Sequence, residues 1–263
     1  MPYANNKGVK IYYEVEGEGP PLVMAHGAGG TLESWRARGY TAALKDNFKM
    51  VLFDARGHGR SDKFHEESAY ASQLMVDDVI AVLDDLGIGK AHYFGYSMGA
   101  WVGFRVPSRS ATRFQSFILG GGTAYNGDDD VRKNMLLGIE SYKILLADPE
   151  AFLRRREKAL GRSLTSGERD MYLGNDAKAL IALVTNLRDW PSVTNDELSR
   201  ISAPCLIYCG DLDPVYAGSR ESANHVPGAT FVSLPGLDHG TAQQSVDPIL
   251  PHVNKFLASV KEQ

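Results

Sequence analysis

Short apolar runs alternate with amphipathic stretches along most of the chain. VKIYYEVEGEG alternates apolar and polar residues and ends in glycines, the pattern of a half-covered strand. PPLVMAHG and KMVLFDARG are continuous apolar runs that stop at a glycine turn, as strands covered on both faces do. Between them SWRARGYTAALKDN predicts a helix. Residues 68–86 place Val76, Ile80, Leu83 and Leu86 on one helical stripe. KAHYFGYS predicts the next strand, MGAWVGFRV the next helix and RFQSFILGGG the strand after that. This succession predicts an α/β fold with a mostly parallel central sheet flanked by helices on both faces.

Residues 126–200 break the alternation and contain no convincing strand. Asn134 to Leu146 reads as a helix, and Asp148 before Pro149 is an N-cap and first-turn pair. Thr165 and Glu168 have capping-box spacing, and Leu180, Leu183, Val184 and Leu187 form another stripe. After Pro204 the alternation resumes with CLIYCG, a helix from Val215, ATFVSLPG and a last helix bearing Ile249, Val253, Phe256 and Val260. The sheet pattern is thus completed on both sides of the break. The expected organisation is a core domain from 1–125 and 201–263, interrupted by a helical cap at 126–200, whose stripes (Ile139, Leu145, Leu180, Leu183) mostly pack the cap itself.

Composition narrows the partners. With 43% apolar and 23% charged residues in 263, the chain reads as a globular protein rather than a disordered one. Its 28 basic and 32 acidic residues give a formal charge of −4, with no basic block, so neither nucleic acid nor anionic lipid is an expected partner. No apolar run approaches the ~20 residues of a membrane span. The start shows no signal-peptide pattern. Cys205 and Cys209, four residues apart on one predicted strand, would be ~13 Å apart, beyond disulfide reach. Two free thiols fit a reducing cytoplasm. No second Cys/His pair at ligand spacing stands nearby, so no metal is expected.

The chemistry centres on Gly95-Tyr96-Ser97-Met98-Gly99, which follows a predicted strand and opens a predicted helix. In that setting G-x-S-x-G is a sharp turn that lifts the serine above the sheet, with small residues two positions either side avoiding clashes. A serine hydroxyl needs a base. Of seven histidines, His239 in PGLDHG directly follows the last predicted strand. His225, in the loop before that strand, and His252, on the last helix, are the alternatives. The acid expected to orient the base is Asp213, three residues past Gly210. Asp211 is its rival and suits capping the turn, whereas Asp238 adjoins His239 and is badly placed to face it. An oxyanion hole needs two backbone donors. Met98 N–H, just after Ser97, and Ala28 N–H, in the loop His26-Gly27-Ala28-Gly29-Gly30, are the candidates. Trp35, Tyr125 and Trp190 are candidate pocket walls, each competing with plain core packing. Arg154-Arg155-Arg156 reads as a solvated helix face or a site for an acidic substrate.

Four motifs stand in order: HGAGG at 26–30, DARGHGRSD at 54–62, GYSMG at 95–99, and GDLDP with LDHG at 210–214 and 237–240. Together they resemble the α/β-hydrolase family with a cap, over nearly the whole chain outside residues 126–200. The resemblance implies a Ser97–Asp213–His239 triad that needs no cofactor. It also implies that Asp54, Arg56 and His58 belong to a structural loop. A serine nucleophile resembles the esterase, lactonase, C–C bond hydrolase and cofactor-free perhydrolase branches, not the carboxylate-nucleophile dehalogenases and epoxide hydrolases. The expectation is a serine hydrolase acting on a small to medium ester or lactone. The alternatives are a C–C hydrolase of ring-cleavage products and a slow-turnover ligand receptor.

Overall fold

The structure, a computed structural model, describes residues 2–261. Eight strands form one sheet: β1 (Tyr3–Asn6), β2 (Val9–Glu16), β3 (Pro21–Ala25), β4 (Lys49–Phe53), β5 (Ala91–Tyr96), β6 (Phe114–Gly120), β7 (Cys205–Gly210) and β8 (Thr230–Leu234). Their spatial order is β1-β2-β4-β3-β5-β6-β7-β8. β1 and β2 pair antiparallel, as do β2 and β4, and every other neighbour is parallel. The chain therefore has the α/β architecture that its pattern predicts. β1 was not expected: YANN carries too little apolar pattern to signal a strand, and pairing with β2 creates it.

The short apolar runs are buried on both faces, as their continuity requires. Alternate residues divide into two cores. Val23, Val51, Tyr93, Phe117 and Ile207 belong to one cluster. Leu22, Met50, Phe94, Ile118 and Leu206 belong to the other. The first face is covered by α3 (Ser72–Asp85) and α4 (Met98–Gly103), after which comes α5 (Val106–Ser110). The second is covered by α1 (Glu33–Ala37) and α2 (Tyr40–Leu44), together with the C-terminal helix described below. The single helix expected over SWRARGYTAALKDN is in fact these two short ones. Gly39, with φ +84°, breaks it between them.

From Gly121 to Pro204 there is no strand among the described residues. The helices there are α6 (Asp129–Ala147), α7 (Pro149–Leu160), α8 (Ser166–Leu173), α9 (Ala177–Arg188) and α10 (Asn195–Ser199). Their starts follow from their caps. Asp128 accepts the N–H groups of Asp130 and Val131, and Asp148 accepts that of Ala151 ahead of Pro149. Thr165 and Glu168 form a reciprocal capping box. Leu145 packs with Phe152 and Leu153 in a small core of the segment's own. Ile139 of α6 and Leu183 of α9, two helices that pack on each other, lie in the apolar cluster that continues into the first sheet face. The chain then forms α11 (Tyr216–His225), α12 (His239–Gln244) and α13 (Val246–Lys261). The last buries Ile249, Val253 and Leu257 against the second face. Among the described residues no helix is long and apolar enough to cross a membrane.

The loop after β4 is fastened in two directions. Asp54 accepts Leu32 N–H (2.8 Å) and Arg60 N–H (2.8 Å). Arg56 makes a two-pronged ion pair with Asp78 of α3, 2.6 and 2.7 Å, with both side chains almost fully buried. Asn6 of β1 donates to the same carboxylate at 2.7 Å. A buried pair of this kind is costly to break one-sidedly, which makes the loop a rigid platform.

Candidate active site

Ser97 stands between β5 and α4 with φ +53°, in the left-handed region. The flanking glycines explain why the chain can turn there. A Cβ at Gly95 would come within 2.4 Å of the Gly99 carbonyl oxygen, and one at Gly99 within 2.1 Å of the Ala25 carbonyl oxygen. Only hydrogen fits at either place. Ser97 N–H donates to the Gly120 carbonyl at 2.8 Å, and the Ser97 carbonyl accepts Trp101 N–H at 2.9 Å. The hydroxyl is thus held at the C-terminal edge of the parallel strands.

Asp213 follows β7. Gly210, the last residue of that strand, lets the next loop close in, because a Cβ there would lie 2.1 Å from the Leu237 carbonyl oxygen. That approach brings His239 to Asp213. His239 Nδ1–H donates to Asp213 Oδ2 at 2.6 Å, and Ser97 Oγ–H donates to His239 Nε2 at 2.9 Å. Asp213 Oδ1 accepts Val215 N–H at 3.0 Å. Its carboxylate is sealed from solvent, while the His239 side chain is 34% exposed. Tyr96 OH donates to the His239 carbonyl at 2.7 Å and fixes that residue from below. Burial opposes a charged His239 ring, but the Asp213 hydrogen bond and charge outweigh it and hold the imidazole above its ordinary pKa.

The structure therefore brings Ser97, Asp213 and His239 into one relay. The alternatives stand elsewhere. Asp211 accepts Gly236 N–H at 2.7 Å, Asp238 caps α12, and His225 ends α11 with its ring on the Glu221 carbonyl. His252 is exposed on α13.

The loop 26–30 lies against Ser97, and a Cβ on Gly27 would be 3.1 Å from the Ser97 Cβ. Among the described residues neither Ala28 N–H nor Met98 N–H has a hydrogen-bond acceptor. His26 and His58 lie beneath this loop with rings edge to face at 4.9 Å. His26 accepts Ala55 N–H at Nε2 and donates from Nδ1 to the Gly27 carbonyl. His58 accepts Gly29 N–H at Nε2 (3.0 Å) and donates from Nδ1 to the Arg56 carbonyl (3.1 Å). Burial pushes His58 down to about 3 and lowers His26 as well, so both rings are neutral. Asn175 Nδ2 donates to the Gly29 carbonyl from the other side at 3.0 Å. Asn175 belongs to no motif and was not among the residues singled out from sequence.

The three aromatic candidates for the pocket wall have other partners. Trp35 packs on Tyr40 and Phe94 in the second core. Trp190 donates to the Tyr70 carbonyl and to Asn186 and lies under the Arg105 guanidinium. Tyr125 OH donates to Asn195 at 2.7 Å. These placements correct the sequence reading towards packing. In the arginine run, Arg154 and Arg155 are exposed and Arg156 stacks on Tyr172. A cavity of about 680 Å³ opens between Thr31, Arg36 and Gly59 on one side and Thr165, Met171 and Asn175 on the other. Cys205 and Cys209 are free and buried, and burial raises both thiols, Cys205 to about 12. Among the described residues no cluster could hold a metal ion.

Comparison with known proteins agrees with this architecture. The family described as alpha/beta hydrolase fold matches residues 20–179. A relative from Azorhizobium caulinodans, named as a carbamate hydrolase, RutD, is 29% identical over 154 residues, 59% of this chain; the match spans only 56% of that protein. 3-Oxoadipate enol-lactonase 1 of Acinetobacter baylyi is 28% identical over 222 residues, covering 80% of this chain and 79% of the relative. A carboxylesterase structure from the thaumarchaeon Nitrososphaera gargenis superposes with a TM-score of 0.86 over 99% of both chains. At 21% identity that likeness speaks for the fold alone.

Proposed function

Because the chain belongs to the alpha/beta hydrolase fold family, we propose that it is a serine hydrolase cleaving a small to medium carboxylic ester or lactone through an acyl-Ser97 intermediate. The observation that carries this reading is the unbroken relay from Ser97 Oγ through His239 to the buried Asp213 carboxylate. His239 Nε2 takes the Ser97 proton as Oγ attacks the carbonyl carbon. Asp213 holds the Nδ1–H tautomer and stabilises the imidazolium that forms. Ala28 N–H and Met98 N–H receive the oxyanion, and neither has an acceptor to give up among the described residues. His239 then returns its proton to the departing alcohol oxygen and activates water against the acyl ester. No step calls on a metal or organic cofactor.

Residues 126–200 act as the cap over this site, with Asn175 reaching the Gly29 carbonyl of the loop beside Ser97. The relative named as an enol-lactonase supports an ester bond over C–C cleavage. The exposure of Arg154 and Arg155 speaks against these two residues meeting an acidic ring-cleavage product. The buried free thiols suit the cytoplasm.

A panel of chromogenic esters and lactones, run with a fluorophosphonate label mapped by mass spectrometry, tests the reading. Ester or lactone turnover is expected, with the label on Ser97. Ser97→Ala should lose label and turnover together, the latter by about 10⁴–10⁶-fold. Labelling at another residue, or turnover that survives the substitution, would refute it.

A further inference from the structure

We propose that Asn175, carried by the inserted helical segment, is a positioning residue for the loop that supplies the Ala28 donor, so that the segment helps to build the oxyanion hole it covers. This inference rests on the acyl-serine reading above.

Three consecutive peptide groups link Asn175 to Ala28 N–H. In the first, the Gly27 carbonyl accepts His26 Nδ1–H (2.8 Å) and Gly30 N–H (3.1 Å). The N–H of a trans peptide points opposite to its carbonyl, so these two bonds fix the direction of Ala28 N–H. In the second, Gly29 N–H is held by His58 Nε2. In the third, the Gly29 carbonyl is held by Asn175 Nδ2, and the N–H of the same peptide is the Gly30 donor that closes the turn on Gly27. Asn175 is therefore one peptide group and one hydrogen bond removed from the peptide that carries Ala28 N–H.

The first two peptides are fastened by sealed histidines of the core. The third is fastened on its carbonyl side only from the insertion. It lies between two glycines, and Gly29 has φ +75°, so no side chain of the loop resists rotation of that peptide. Rotation would withdraw Gly30 N–H from the Gly27 carbonyl and release the aim of Ala28 N–H.

The donor itself is well seated. Asn175 occupies the joint Gly174-Asn175-Asp176 between α8 and α9, where its N–H donates to the Tyr172 carbonyl and Asp176 caps α9. A second contact seals the same spot. The Tyr142 hydroxyl of α6 stands over Gly29, where an added Cβ would meet it at 2.7 Å. Helix α6 and the α8–α9 joint thus converge on one glycine of the loop.

The test uses Asn175→Asp, which keeps the shape but sets a carboxylate against the Gly29 carbonyl, and Asn175→Leu, which removes the polar group. Each is measured for ester kcat and KM and for the rate at which a fluorophosphonate modifies Ser97, with thermal melting as the fold control. Losing a whole oxyanion donor costs about 10²–10³-fold, so loosening one should lower kcat by about tenfold. The Ser97 phosphonylation rate should fall in parallel and KM should stay within about twofold, the signature of a contact expressed in the transition state. A raised KM at unchanged kcat would mean that Asn175 merely closes over substrate, and would overturn the inference. Wild-type phosphonylation rates in both folded variants would overturn it too, while leaving the acyl-serine reading intact. Failure of the wild-type protein to react at Ser97 would remove that reading and this inference with it.

Discussion

In the proposed mechanism His239 and His58 serve the two halves of one site, and the structure holds them under opposite conditions. His239 is 34% exposed and faces a sealed carboxylate, which raises its pKa. His58 is completely buried, hydrogen-bonds only to backbone groups and stays neutral, with its pKa pushed down to about 3 by burial. Both rings donate from Nδ1 and accept at Nε2. Hydrogen-bond pattern therefore does not separate a proton carrier from a strut. The charge on the Nδ1 partner does, because only a carboxylate makes the imidazolium affordable in a site with little water.

Removing that charge is the sharpest way to break the contrast. Asp213→Asn keeps the shape, but its amide offers no anion to Nδ1–H and leaves the ring free to adopt the wrong tautomer. A fall in kcat of about 10⁴-fold is expected, as in other triads. In the wild-type protein the base must be neutral to act, so turnover should rise with pH through an apparent pKa above the ordinary ~6.5 of histidine. The acid limb of a pH–kcat/KM profile measures this directly, and a limb below pH 6 would contradict the assignment.

The same two rings should also pull stability in opposite directions. A raised His239 pKa stabilises the fold most below the unfolded value near 6.5, and that contribution is lost as pH rises through the folded value. His58, with its pKa lowered, binds protons more readily when unfolded. Stability should therefore fall as pH drops from about 6.5 towards 3, by about 1.4 kcal/mol per pH unit for this ring alone. His26 adds to the slope in the same sense. Urea unfolding between pH 7 and pH 5 should show the fall, and His58→Gln should flatten it by about one proton's worth. An unchanged slope would mean that His58 takes up its proton as easily folded as unfolded.

How far each part was legible follows from where its constraint is written. The Ser97 turn is local: Gly95 and Gly99 stand in sequence beside the serine whose backbone they permit. Asp213 and His239 were legible because each follows the end of a strand in the same sheet, so sheet topology delivers them to one edge. Asn175 was not, because its partner lies 146 residues away and it sits in a joint of helices without any motif. The division of roles between His58 and His239 was legible only from their places in the chain, His239 after the last strand and His58 within DARGHGRSD, and not from the residue type. A histidine's letter does not say whether the nearest oxygen will be a carboxylate or a carbonyl. Trp35 packs in the second core although it follows the 26–30 loop closely, because nearness in sequence to a site loop does not fix the face of the sheet. Trp35 lies with Phe94 on the face opposite Tyr93.

A third histidine isolates the remaining variable. His65 pairs with the Asp176 carboxylate at 2.9 Å, close to the geometry of His239 with Asp213. Here the histidine side chain is 52% exposed and the carboxylate 30% exposed, whereas Asp213 is sealed. Solvent screens both charges and already satisfies both groups when they part. His65→Ala should therefore change the unfolding free energy by less than about 1 kcal/mol, and raising the salt concentration should shrink even that difference. Asp176 keeps its bond to Ala179 N–H, so the start of α9 survives the substitution. A cost of several kcal/mol, insensitive to salt, would show that the carboxylate partner alone is decisive. A small, salt-sensitive cost would leave burial of the carboxylate as what turns the same pairing at His239 into a working base.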